Sequence, residues 1–232
     1  MLRRTNIDSQ KNIIKSYTLF DGETPRVTME LISNGDLSRV RLTKKTARTV
    51  LWQMLEALDY LKGRGIIHHN IRPENILFEV GEYPRAVLTG FGSARYARSS
   101  SHRGEITEVE YAAPEMFPDV PFGQTEAVDV WALAVTMTKS LYRLPSMPLV
   151  PTVPPDTSVF VSPFSSWALW VDSWRSVLID HLRKRPRDDV SRILRRMLEF
   201  DPRDRWAPWD CLQEGRRLCL VTRRDSFLFS VY

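Results

Sequence analysis

Gly65-Ile66-Ile67-His68-His69-Asn70-Ile71-Arg72-Pro73-Glu74-Asn75-Ile76-Leu77 is the stretch around which this chain orders itself. Upstream of it, Ala47, Val50, Leu51, Met54, Leu55, Leu58 and Leu61 recur at helical spacing. They predict an amphipathic helix of about five turns, from a Thr43 cap to a Gly63 stop, with one face turned to a core. Downstream, the short apolar runs Ile76-Leu77-Phe78 and Ala86-Val87-Leu88 flank Gly81-Glu82-Tyr83-Pro84. That pattern predicts a β-hairpin.

Further out, Asn12 to Phe20 and Arg26 to Ile32 read as two strands joined through Asp21-Gly22-Glu23-Thr24-Pro25, an earlier hairpin. A Ser- and Arg-rich loop is expected from Ala97 to Gly104. Val128 to Tyr142 is apolar nearly all round, which marks a helix buried at the centre of a domain. Pro145 to Pro163 holds six prolines and reads as a loop. Trp167, Trp170, Trp174 and Leu178 give a helix whose aromatic face is expected to pack in the core rather than bind a partner. A last helix carries Ile193, Leu194, Met197 and Leu198 and stops at Asp201-Pro202.

With 232 residues and 43% hydrophobic content, one sizeable domain is the default. Cys211 and Cys219 lack metal-ligand spacing or partner histidines, so reduced thiols are expected rather than a zinc site or a disulfide framework. The first residues are polar and no later run reaches membrane-spanning length. A soluble protein of the cytoplasm or nucleus is the expectation. The net charge of +5 arises from arginines in the last fifty residues, which alternate with aspartates. That mixture reads as solvated faces and argues against a nucleic-acid partner.

His68-His69-Asn70-Ile71-Arg72-Pro73-Glu74-Asn75 resembles the catalytic loop of protein kinases, H-R-D-L-x-x-x-N. Other landmarks stand in the family's order. Met29-Glu30-Leu31-Ile32-Ser33-Asn34-Gly35-Asp36-Leu37 looks like the hinge between the lobes, and Thr89-Gly90-Phe91-Gly92 resembles the D-F-G segment. Ala113-Pro114-Glu115 matches A-P-E. Asp129-Val130-Trp131-Ala132-Leu133 is similar to the buried helix under the catalytic loop, and Asp201 to Arg205 resembles the closing signature. The resemblance implies an α+β, protein-kinase-like fold of the serine/threonine branch. It places a remnant of the small lobe and the hinge at 1–35, a mainly helical large lobe at 36–220 and a tail at 221–232. It also implies that Arg205 pairs with Glu115, and that His68, Phe91, Asp129 and Trp131 hold the large lobe together.

Phosphoryl transfer rests on positioning ATP and neutralising the charge of the transferred group, so each missing part counts. Only Gly22 and Gly35 occur in the first sixty residues, so no Gly-rich loop precedes the hinge. Lys15 stands fourteen residues before Met29, whereas the family's lysine strand is followed by a helix and two strands that need roughly 25 residues or more. Lys15 therefore reads as a surface lysine, and the lysine strand and regulatory helix as absent. Asn70 replaces the catalytic aspartate, and a neutral amide cannot take a proton. Gly90 replaces the metal-binding aspartate, which leaves Asn75 alone against a dication that favours carboxylates. Arg72 stands at the catalytic-loop lysine and keeps its positive charge. His69 replaces the arginine that clamps a phosphorylated activation loop, so switching through Ser99, Ser100, Ser101 or Thr107 is not favoured.

For the nucleotide, the resemblance points to the backbone at Glu30 and Ile32, Met29 as gatekeeper, Asp36 at the ribose and Leu77 as floor. The strands that form its roof are absent, so ATP binding is expected to be weak or lacking, with no metal cofactor. These losses imply a pseudokinase that serves as a scaffold or regulator through protein partners, another kinase or a chain covering the open small lobe among them. A divergent serine/threonine kinase using His69 or Glu74 as base, and a fragment of a longer kinase-like protein, are the rival readings.

Overall fold

The structure, a computed structural model, describes residues 2–4, 10–21, 24–40, 42–81, 84–97, 106, 108–117, 124–142, 144, 147, 163–185 and 188–218. The expected tail at 221–232, the serine-rich loop beyond Ala97 and nearly all of the proline-rich stretch lie outside these residues.

The first hairpin pairs β2 (Ser16–Asp21) with β3 (Thr24–Met29), in register from Ser16 opposite Met29 to Asp21 opposite Thr24. Both strands are shorter than the sequence predicts. Asn12 to Ile14 leave β2 because they have better partners elsewhere: Ile14 N donates to Leu88 O at 2.9 Å and the Asn12 amide to Ala86 O at 2.8 Å. Ile13 and Ile14 bury their side chains against that second hairpin. A strand that the sequence does not announce, β1 (Leu2–Arg4), adds to the far edge of β2. Three residues are too few to show an alternation.

Helix α1 (Lys44–Gly63) begins where expected, with the Thr43 hydroxyl accepting from Thr46 N. Its predicted apolar stripe is buried in full. Gly65, at φ +64°, turns the chain into β4 (Ile66–Ile67). The polar loop from His68 follows, then β5 (Ile76–Glu79) and β6 (Arg85–Leu88), the second hairpin. The hinge segment is strapped along β5 by Leu37 N to Ile76 O and Phe78 N to Gly35 O. A two-residue strand, β7 (Arg95–Tyr96), pairs back with β4 and so closes the loop region from the other side.

The core is helical. Helix α2 (Ala127–Leu141) is buried on every face from Val128 to Thr138, because other elements pack around it. Helices α3 (Pro163–Arg183) and α4 (Asp189–Met197) pack beside it, and Trp170 and Trp174 lie in the core as the spacing implied. Trp167 stacks on Phe117, ring centroids 5.1 Å apart. The chain does not end its helices there. A further helix, α5 (Pro208–Arg217), lies against α1 and corrects the expectation of a last helix before Asp201. It escapes a periodicity reading because it buries few apolar side chains, Cys211 and Leu212 among them. Its contact with α1 is made at Gly215, where an added Cβ would fall 1.6 Å from Trp52 Cζ2. Among the described residues no helix is long and apolar enough to cross a membrane.

Candidate active site

The loop from His68 to Asn75 is held from below by one carboxylate. Asp129, in the first turn of α2, accepts from His68 N at 2.6 Å and from His69 N at 2.9 Å. These bonds grip a backbone that needs gripping, since His69 sits at φ 61°, a left-handed conformation costly for a side chain with Cβ. Burial pushes the Asp129 carboxyl up to about 7, against the pull of the two N–H donors. His68 is buried beside it. Its Nδ1 faces Asn70 N at 3.2 Å and its Nε2 faces Thr89 O at 2.9 Å, so the imidazole is neutral with its proton on Nε2. Burial lowers its pKa to about 4. The Phe91 ring meets it edge-on at 4.6 Å, which joins the D-F-G-like segment to the loop.

The second brace is an ion pair that is 0% exposed on both sides. Arg205 Nη1 lies 2.5 Å from Glu115 Oε1 and Nη2 lies 3.0 Å from Oε2. The guanidinium also donates to the carbonyls of Glu199, Phe200 and Ala127, and it faces the buried Trp131 ring at 5.0 Å. The pairing that the resemblance implied is therefore present, and it ties the A-P-E-like turn to α2 and to the loop before α5.

The residues at the chemical positions are arranged quite differently. Asn75 Nδ2 donates to Asn70 O at 2.8 Å, and Asn75 O accepts from Thr89 N at 2.9 Å. Gly90, at φ +82°, lies directly against that amide: a Cβ there would come within 2.6 Å of Asn75 Cγ and Oδ1. Asn75 thus fills the space that a ligand side chain from position 90 would need. Among the described residues these two positions offer a neutral amide and a residue with no side chain, a poor match for a divalent ion that favours carboxylates. Among the described residues no group of three acidic, cysteine or histidine side chains gathers elsewhere. Gly90→Ala is expected to lower stability by about 2 kcal/mol, from the left-handed backbone and the crowding. Urea unfolding in an Asn75→Ala background checks the cause, since the crowding share of the cost disappears there.

Arg72 is held by two carboxylates. Its Nε lies 2.7 Å from Glu74 Oε2 and its Nη1 lies 2.7 Å from Glu108 Oε1. The Glu74 bond, with both carboxylate charges, raises the guanidinium pKa. The same bond lowers the Glu74 pKa, which weakens Glu74 as a base. His69 is buried and its pKa is lowered by that burial and by Arg95. Its Nδ1 has no partner among the described residues. The cavity beside it, about 20 Å³ and bounded by Arg72, Glu108 and Asp129, has room for about one water. Glu108 was not predicted from sequence, and nothing in its local spacing could have flagged it.

At the hinge, Ile32 is buried in a small cluster with Ile14 and Val87, and Leu77 packs against it. Glu30 N donates to Lys15 O, while the Glu30 carboxylate accepts from Lys15 N at 3.0 Å and pairs with Arg85 at 3.1 Å. No hydrogen bond among the described residues uses Glu30 O or Ile32 N. Asp36 is turned onto its own loop, accepting from Ser38 N at 2.9 Å and from the Ser38 hydroxyl. Met29, at the end of β3, is 58% exposed, with Val27 exposed on the same strand and Leu31 exposed just past its end.

A catalytic-loop frame on a buried aspartate, a hinge strapped to the following hairpin and a buried Arg–Glu brace together define a protein-kinase-like domain. The protein kinase domain family matches residues 1–215, and the chain belongs to that family. It is 28% identical over 203 residues to an Aurora kinase of Yarrowia lipolytica, covering 84% of this chain and 49% of that protein. To the calcium/calmodulin-dependent protein kinase type 1B of Rattus norvegicus it is 33% identical over 115 residues, 47% of this chain and 33% of the other. The chain thus spans about half or less of the length of these relatives. Among solved structures, the Rad53 kinase domain with SCD2 and AMPPNP superposes with a TM-score of 0.58 at 20% identity, over 88% of this chain and 71% of that one. That likeness concerns the fold alone.

Proposed function

We propose that this chain is a pseudokinase, a kinase-like scaffold or regulator that works through protein partners in the cytoplasm or nucleus. The observation that carries this reading is the absence of an acid from the two positions that need one. Asn70 cannot take a proton from a substrate hydroxyl, and Gly90 offers a metal nothing while Asn75 crowds its place. Arg72 does not compensate, because two carboxylates already hold it. The exposed Val27, Met29 and Leu31 fit a surface on which a partner chain settles. ATP binding is weak or lacking and needs no metal. A longer product carrying a Gly-rich loop and a lysine strand would still present Asn70 and Gly90.

A second reading, a divergent serine/threonine kinase, draws on two observations: the relatives bear kinase names, and the hinge keeps Glu30 O and Ile32 N unused by the described residues. Labelled ATP with magnesium or manganese and a generic protein substrate decides between them. The scaffold reading expects no transfer above a blank and no thermal shift with ATP that depends on magnesium. Steady turnover that is lost in Asn75→Ala would establish the kinase instead.

A further inference from the structure

Helices α3 and α4 carry a second feature, remote in role from the catalytic loop. Arg175, Ile179 and Arg183 are spaced four apart on α3 and so share one face. Arg192, Arg195, Arg196 and Glu199 follow i, i+3, i+4, i+7 spacing along α4 and just past its end. The two faces meet across a groove of about 320 Å³ lined by these seven residues. Five guanidinium groups therefore surround one carboxylate, with buried Ile179 as an apolar floor.

Part of this charge has internal work. Arg175 Nε donates to Leu198 O at 2.6 Å and completes the end of α4, and Arg192 pairs with Glu214 at 2.5 Å. Among the described residues Arg183 and Arg196 reach carboxylates only at long range, 3.6 Å to Asp180 and 3.7 Å to Glu199, and Arg196 also faces the Trp206 ring at 5.7 Å. Arg195 is half-buried and reaches only Ser191 O, at 3.4 Å, with no carboxylate partner among the described residues. Like charges gathered in a concave wall raise a local potential that draws anions, and guanidinium forks suit carboxylate and phosphate oxygens.

We infer that this groove docks an acidic segment of a partner protein, with carboxylate or phosphoserine side chains meeting Arg195 and its neighbours. Among the described residues no aromatic ring lines the groove to stack a base, and Asp172, Asp180 and Glu199 stand at its arginines, where they would repel a continuous phosphate backbone. A peptide can space its anions to avoid them. The inference rests on the scaffold reading in that it names a partner surface, yet its test measures binding and not phosphate transfer, so the two can fail separately.

The test is fluorescence anisotropy of the full chain with two labelled peptides, one rich in glutamate and one with phosphoserines, beside a single-stranded oligonucleotide of matched charge. At least one peptide is expected to saturate binding and to be preferred over the oligonucleotide. Arg195→Glu weakens it by about tenfold or more, while Arg48→Glu, the same charge change on the exposed face of α1, alters it by less than about twofold. Should Arg195→Glu lose its helical circular dichroism, Arg195→Ala is read by the same ratio. Failure of both peptides to bind, equal losses in the groove and control variants, or tighter oligonucleotide binding overturns the inference.

Discussion

Arg205→Met is expected to lower the stability of the folded chain by about 3–5 kcal/mol, because it strands the fully buried Glu115 carboxylate without a partner. The guanidinium it removes makes both bonds to Glu115 and also satisfies the carbonyls of Ala127, at the start of α2, and of Glu199 and Phe200, in the loop before α5. Each of those acceptors is left to find another donor or to go without. Glu115→Leu alone should cost a comparable amount, since it strands the arginine instead. Urea unfolding of the two single variants and the double separates the terms. The double should be clearly less damaged than the sum of the singles, as no lone charge remains buried. A simple sum would show that the pair does not act as one brace.

Asp129→Asn is expected to cost about 2–4 kcal/mol, since an amide presents an acceptor to one of the two loop N–H groups and its own NH₂ to the other. The unmatched N–H also loosens the left-handed His69, and the loop should exchange its amide hydrogens faster. The variant changes the pH response too. In the native chain the Asp129 pKa, about 7, lies above its ordinary 3.8, so the folded state keeps a proton that the unfolded state has lost. That term takes stability away as pH rises from about 4 to about 7, and it is constant above. His68 runs the other way: its folded pKa of about 4 lies below the ordinary 6.5, so stability rises with pH across that window and levels off above 6.5. The two slopes largely oppose each other, and the native chain should show little net change from this pair between pH 4.5 and 6.5. With Asp129→Asn only the histidine slope remains, and stability should climb by roughly 2–3 kcal/mol over the same range. Urea midpoints at several pH values test this; a variant with a flat or falling profile would show that Asp129 does not hold its proton.

The helix from Thr43 to Gly63, the hairpin around Gly81 and the buried helix over Asp129 were all legible in the residues. Each is dictated by neighbours a few positions apart: a cap hydroxyl, a repeat of 3.6 or 2, a turn former. The missing acids at positions 70 and 90 were legible too, because whether a side chain carries a carboxyl group at all is fixed before the chain folds. Helix α5 was hidden for the opposite reason, since it buries few apolar side chains and meets Trp52 of α1 at Gly215, which has none. The early shortening of β2 was hidden because Asn12 to Ile14 are claimed by Ala86 and Leu88, far along the chain.

The character of the cleft was decided by folding. Glu108 reaches Arg72 across 36 positions, Arg85 reaches Glu30 across 55, and Asn75 fills the space above Gly90 only because β5 and the segment after β6 come together. No local pattern encodes such meetings, since the partners share no helix face or strand register. From its residues alone this chain determined that the kinase acids are gone. Only the tertiary structure determined that Arg72 is held by two carboxylates and that Asn75 closes the space beside Gly90, because charge pairing and free volume belong to positions in three dimensions and not to any one stretch of chain.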